Sequence, residues 1–287
     1  MKRAIYFSTA VLTALISGIF SASHLPAAAA AASAISVNGS LGQSREILVA
    51  GRYRFRFRVR PSRYRIGGFR RGNTCFNAGR VMALVPPTRD VEQAGFREVA
   101  VDSTLSGHPT FLAYVEGLRD KSAQFTLQNA EGTEEIYSTT FVLPDENGIV
   151  AIEVPSTVPE LEVGESYLWQ MAVICDADNR SEDAVVGSWI QRSSLETLRA
   201  SLDETNAVDA ELNQEFDTLA AQLSSAEARE KPQILAELGI WQDSIAELAA
   251  LRYRNPEDSD LAESWTTLLQ SVEMDAFTNA NIVQIEE

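Results

Sequence analysis

The chain carries two cysteines, Cys75 and Cys175, and two histidines, His24 and His108. That is a thin supply for nucleophilic or metal chemistry. A Ser–His–Asp system needs an imidazole beside an activated serine. His108 sits in "SGHPTF", just ahead of a proline that opens a strand, and the chain has no G-x-S-x-G elbow. His24 lies in the N-terminal apolar region. A thiol mechanism requires Cys75 or Cys175 in its reduced, ionised form. One histidine outside the leader and two cysteines cannot complete a tetrahedral zinc site.

Hard oxygen ligands are better represented. The stretch "CDADNRSED" gathers Asp176, Asp178, Asn179, Glu182 and Asp183, a set of oxygens that suits calcium. Their order departs from an EF-hand loop, which wants a glycine at its sixth position and a late glutamate. A solvated hairpin turn accounts for the same residues, and no metal is expected. No P-loop or G-x-G-x-x-G is present, so no cofactor is expected either. Any two of the 40 acidic residues could converge in a cleft of the glycosidase kind, but composition does not choose the pair.

Charge is distributed unevenly. The formal net charge of −16 divides into +2 over residues 1–44, +9 over 45–71 and −27 over 72–287. The basic block reads "RYRFRFRVR" from Arg52. At a period of two, Arg52, Arg54, Arg56, Arg58 and Arg60 share one face, and Tyr53, Phe55, Phe57 and Val59 share the other. With Arg70 and Arg71 these form a candidate anion-binding set for glycans or lipid phosphates. Neutralisation by the acidic body explains the set equally well. An acidic body repels phosphate backbones, and no nucleic-acid partner is expected.

The N-terminus reads as an address. Lys2 and Arg3 precede the apolar run "AIYFSTAVLTALISGIF", and an alanine-rich stretch follows. A positive start, an apolar core and small residues describe a secretory signal peptide, with cleavage expected near Ala30 to Ala32. A retained anchor is the rival reading, although Ser, Thr and Gly dilute a run already marginal for spanning a bilayer. No later stretch is suited to a membrane span. Export to the periplasm, envelope or exterior places the two cysteines in an oxidising compartment, where a Cys75–Cys175 disulfide competes with two inert buried thiols. Such a bridge closes a loop worth at most about 4.7 kcal/mol in the chain-entropy account.

These residues need elements to position them. From residue 79 the pattern is short and alternating: "GRVMALVPP", "FREVAVDS", "PTFLAYVEG", "SAQFTLQN", "EIYSTTFVLP", "GIVAIEVP", "SYLWQMAVICD" and "AVVGSWIQR" each predict a strand. A hairpin is expected around Glu131 and Gly132. "SYLWQMAVICD" is apolar on both faces and predicts a central strand buried on both sides. Trp169 and Trp189 are expected in the core. Then the period changes. Capping boxes at Ser193-x-x-Glu196 and Ser224-x-x-Glu227 predict helix starts. Leu212, Phe216, Leu219 and Leu223 share one helical face, as do Leu261, Trp265, Leu268 and Val272.

In "GIWQDSIAELAALRYRNP", the offsets of Gly239, Trp241, Ser244, Leu248, Leu251 and Pro256 resemble the second half of a tetratricopeptide repeat, with Trp265 opening a following unit. A lone unit must pack on the sandwich or on a partner. An ordinary helical hairpin capping the β domain explains the same offsets. The whole is an α+β chain: a signal peptide (1–32), an Arg-rich, partly disordered lead-in (33–72), an antiparallel β-sandwich (73–193) and a C-terminal α-helical hairpin or bundle (194–287).

The runs "GGFRRGNTC", "HPTFLAYV", "STTFVLP", "GIVAIEVP", "LEVGESYLWQMAVICDADNRS", "GSWIQR" and "LGIWQDSIAELAALR…LAESWTTLLQSV" resemble a family of exported cyanobacterial proteins known only as a domain of unknown function. The resemblance covers roughly residues 67 to 277. It implies a secreted β-plus-helical protein, supports the Cys75–Cys175 pairing because both cysteines fall in matching motifs, and supplies no catalytic residue. The expected function is a non-enzymatic cell-envelope interaction or binding module that contacts an envelope protein through its helical region. The alternatives are a carboxylate-dependent carbohydrate-active hydrolase, or a binder of anionic envelope polymers through the Arg-rich arm.

Overall fold

A computed structural model of the chain describes residues 79–86, 102–205 and 210–286. The expected signal peptide (1–32) and lead-in (33–72), with Arg52, Arg54, Arg56, Arg58, Arg60, Arg70 and Arg71, and Cys75 lie outside the described residues. Strands come first: β1 (Arg80–Ala83), β2 (Asp102–Thr104), β3 (Thr110–Glu116), β4 (Ser122–Asn129), β5 (Glu135–Val142), β6 (Gly148–Glu153), β7 (Ser166–Val173) and β8 (Ala184–Arg192). Helices α1 (Leu195–Thr205), α2 (Ala210–Ser225), α3 (Lys231–Glu237), α4 (Trp241–Arg254) and α5 (Ser259–Ser271) follow, and β9 (Ile282–Glu286) ends the chain. The α+β class is as expected. All described residues belong to one compact unit, so the change from strands to helices near 193 does not separate two packed bodies.

The strands form two sheets, ordered β1-β3-β6-β9 and β2-β8-β7-β4-β5. Their facing sides share one core. Phe111 lies 5.2 Å from Phe125 and 5.0 Å from Trp169 between ring centroids, with Val150, Ile152, Leu127 and Met171 around them. The sheets are mixed, which corrects the expectation of an antiparallel sandwich. β2 runs parallel to β8, and β9 runs parallel to β6. β9 also corrects the expectation that residues after 193 are all helical. Its β-branched "IVQI" docks where Gly148 leaves room: a Cβ there would stand 2.5 Å from Val283 Cγ1 and 2.7 Å from the Asn281 carbonyl.

A third layer covers the other side of the four-stranded sheet. Leu112, Ile149 and Ala151 pack against Trp241, Ile245, Leu248, Trp265 and Leu268 from α4 and α5. Double burial therefore falls to β6, where Gly148 through Ile152 are all buried, and not to β7. β7 is central in its sheet but alternates, with Tyr167, Trp169, Met171 and Val173 buried and Leu168 and Ala172 half-buried on the far face. The tryptophan-bearing helices α4 and α5 pack on the other sheet, and that far face stays half-buried. Trp169 is core, whereas Trp189 is half-buried on the opposite face of β8.

Helix ends follow local rules, shifted from the predicted residues. The capping box of α1 begins at Ser194: the Thr197 N–H donates to Ser194 Oγ and the Ser194 N–H to Thr197 Oγ1. Ser193 is buried and donates its N–H to the Thr104 carbonyl. Ser224 lies inside α2, not at a helix start.

Candidate functional site

The first turn of α4 ties the helical layer to the sheets. It is set up by the end of α3. Gly239 has φ +81°, its N–H donates to the Ala236 carbonyl, and the Ile240 N–H donates to the Leu235 carbonyl. These two bonds are a Schellman closure, with glycine at the left-handed position that a side chain would strain. Ile240 and Leu235 pack together in a small cluster with Phe216 and Leu238. The chain then re-enters a helix at Trp241.

Three consecutive side chains of that turn reach three β segments. The Trp241 indole N–H donates to the Leu84 carbonyl at 3.1 Å. Gln242 donates its amide to the Thr110 carbonyl at the start of β3. Asp243 accepts from the Thr104 hydroxyl and, at 2.7 Å, from the Leu105 N–H. The loop between β2 and β3 is built outward from this contact. Thr104 Oγ1 accepts the Ser106 N–H at 3.0 Å, Ser106 Oγ accepts the His108 N–H at 3.1 Å, and His108 Nε2 lies 2.7 Å from the Val158 carbonyl. Facing a carbonyl, that ring nitrogen acts as a donor, so His108 holds the loop in place and is not aimed at a serine.

Between this loop and α4 lies a pocket of about 500 Å³, within the range of small-molecule sites. One wall is a stripe of α4: Asp243, Ala246, Glu247 and Ala250, spaced i, i+3, i+4 and i+7. The facing wall is the loop from Leu105 to Thr110 together with Ala151 and Glu153 of β6. Lys231 and Leu235 of α3, Leu223 of α2 and Ile285 of β9 complete it. The lining is thus mixed: aliphatic side chains, three carboxylates, one ammonium and one imidazole.

Asp243 has the most perturbed chemistry in the pocket. Burial pushes its carboxyl up from 3.8 to about 6. The hydrogen bonds from Thr104 and Leu105 pull the other way, and the negative charge of Glu247, one turn along α4, adds to the rise. Above that pH the protein holds an incompletely compensated negative charge at the pocket wall.

The residues singled out from sequence fall elsewhere. Trp241, Ser244, Leu248, Leu251 and Trp265 are buried, with exposures from 0 to 7%. Ser244 donates to the Pro232 carbonyl at 2.7 Å where α3 and α4 cross, and the Trp265 indole N–H donates to the Phe277 carbonyl at 3.2 Å. These faces pack on the chain's own sheet and helices. Gly239 ends a helix, and Pro256 is exposed between α4 and α5. Cys175 follows β7 and is half-buried, and there is no free cysteine among the described residues. The 176–183 loop closes the β7–β8 hairpin and satisfies its own acids. Asp183 accepts from the Cys175 N–H and Arg180, and Asp176 accepts from the Asp178 N–H. Among the described residues, no group of three or more His, Cys, Asp or Glu could hold a metal ion. No described helix is long and apolar enough to cross a membrane.

A profile for a domain of unknown function, DUF928, matches residues 66–282. The chain belongs to the DUF928 family. The matched span includes β1 through β8, all five helices and every residue that lines the pocket except Ile285. No curated protein matches the chain.

Proposed function

We propose that this DUF928 protein is an exported cell-envelope binding module, without an enzymatic role, and that it binds a small polar ligand in the pocket between α4 and the β2–β3 loop. One observation carries the reading. The fold keeps Asp243 half-buried at the pocket wall, where ionising it is unfavourable, which is a pattern concentrated at functional sites. Export is supported by the N-terminal leader pattern and by Cys175, which is not a free thiol. Cys75 is its expected partner. A role for the tetratricopeptide-like offsets in holding an envelope partner is weakened by their burial, so recognition is assigned to the pocket.

The test is a thermal-shift screen of the full chain against aliphatic amines, amino acids and small sugars, paired with the pocket-filling variant Ala250→Trp. A ligand that binds only the folded chain raises its melting temperature. The reading expects a rise with at least one class and its loss in Ala250→Trp. Stabilisation that survives the filled pocket would move binding elsewhere.

A second reading, a carboxylate-dependent carbohydrate-active hydrolase, is favoured by the same carboxyl at about 6, protonated often enough near neutrality to act as a general acid. It requires turnover of a nitrophenyl glycoside that Asp243→Asn abolishes. Absence of turnover across a panel of such glycosides leaves binding as the function.

A further inference from the structure

We infer that the pocket is selective for a primary ammonium group carried on an aliphatic chain, with Asp243 and Glu247 receiving the head and the leucine lining receiving the chain. This rests on the pocket-binding reading above and adds the chemical class of the ligand.

Three features of the pocket support it. First, Asp243 and Glu247 stand one turn apart on the same face of α4, both line the wall, and each lies within reach of the other's charge. An ammonium is a compact point charge with three donors, and it can bond two separated acceptors at once. Ser106, whose Oγ accepts the His108 N–H and keeps a second lone pair, lines the facing wall. Second, neither Asp243, Glu247 nor Glu153 forms an ion pair among the described residues, and Lys231, the pocket's own ammonium, pairs with none of them. Other acids of the chain do find cations, as Asp258 finds Arg229 and Asp183 finds Arg180. The pocket carboxylates are thus left to a charge from outside. Third, Leu105, Leu223 and Leu235, which belong to one hydrophobic cluster, give the cavity an apolar lining that a bare inorganic cation would not use. The raised Asp243 carboxyl agrees with this arrangement, because a bound ammonium supplies the positive charge its surroundings lack.

Isothermal titration of the full chain near pH 7.5 distinguishes the possibilities with three probes of one length: n-hexylamine, n-hexanol and n-hexanoate. The inference expects hexylamine to bind at least tenfold more tightly than the other two. It also expects Glu247→Gln and Asp243→Asn each to lower amine affinity about tenfold while leaving hexanol unchanged. Glu247 is half-buried and takes no part in the α4 clamp, so its variant keeps the test open if Asp243→Asn disturbs folding. A blocked Gly-Lys-Gly peptide is the fourth probe. Tighter binding than hexylamine assigns the ammonium to a lysine of a protein partner, and weaker binding assigns it to a free amine. Hexanol or hexanoate binding as well as the amine would overturn the ammonium inference and leave the pocket reading intact. Failure of every probe to bind would overturn the ammonium inference and leave the pocket reading to the sugar and amino-acid arms of the thermal-shift screen.

Discussion

Replacing Asp243 with asparagine separates the carboxyl's charge from its hydrogen bonds. The amide oxygen can still accept the Leu105 N–H, and the amide nitrogen can donate to Thr104 Oγ1, which has a second lone pair beside the one used by the Ser106 N–H. What disappears is a titration. In the native fold the carboxyl ionises at about 6 instead of 3.8. At 1.36 kcal/mol per pKa unit, that difference corresponds to about 3 kcal/mol. The sign follows from proton binding. Between the two values the folded chain holds a proton that the unfolded chain has released, so stability falls as pH rises and the loss is complete above about 6. Of the full span, about 2 kcal/mol lies between pH 4.5 and 7.5. For a domain of this size that is a melting-temperature difference of about 4–8 °C. The assay is a pair of denaturant or calorimetric unfolding series, wild type and Asp243→Asn, over that pH interval. The many other acids titrate in both proteins and cancel in the difference. Asp243→Asn is expected to gain about 2 kcal/mol on the wild type between pH 4.5 and 7.5. Parallel curves would refute the argument, because they would mean that the carboxyl ionises normally despite its burial.

Four further outcomes follow from the packing. Glu247→Gln removes the neighbouring negative charge and should move the wild-type stability transition to lower pH, read from the same unfolding series. Gly187→Ala drives a Cβ into the Trp169 carbonyl of the paired strand, so it should destabilise the fold by about 1–3 kcal/mol or more in denaturant unfolding, the usual range for overpacking. Gly239→Ala forces a side chain to φ +81° at the α3–α4 junction and should lower stability by about 1 kcal/mol, with increased hydrogen exchange at the start of α4. Trp241→Phe leaves the buried Leu84 carbonyl without its donor and should reduce stability by about 2 kcal/mol, measured by chemical denaturation.

How far the sequence foretold this structure depends on the kind of information each feature needed. Local alternation was enough for the strands. "SAQFTLQN" and "AVVGSWIQR" match β4 and β8 residue for residue, because one face of each is buried and the other is not. The identity of the doubly buried strand was not local information. Only β7 was read as apolar on both faces, and it is the position of the helical layer that decides that β6 is covered on both sides. β9 was missed for a related reason. Five residues after the helices look like a tail until Gly148, more than 130 residues earlier, is seen to leave room for them. Asp243 was one acid among 40. Its signal was the stripe Asp243, Ala246, Glu247, Ala250, small and acidic residues on one helical face, while Ile245, Leu248 and Ala249 of the same helix point into the core. That stripe marks a wall only once the β2–β3 loop is known to stand opposite. Trp241, Trp265 and Ser244 were legible as packing residues, and what they pack against is the chain's own sheet and helices, whereas Trp189, expected in the core, is half-buried.

The central claim is that ligands enter the pocket bounded by α4 and the β2–β3 loop. Backbone amide chemical-shift mapping of the full chain during titration with n-hexylamine tests it most directly. The account expects the shifts to concentrate at Leu105, Ser106, Asp243, Glu247 and Ala250, and to vanish in Ala250→Trp. Shifts concentrated instead on the outer face of the five-stranded sheet, around Leu168 and Ala172, or on the 176–183 loop, would contradict it.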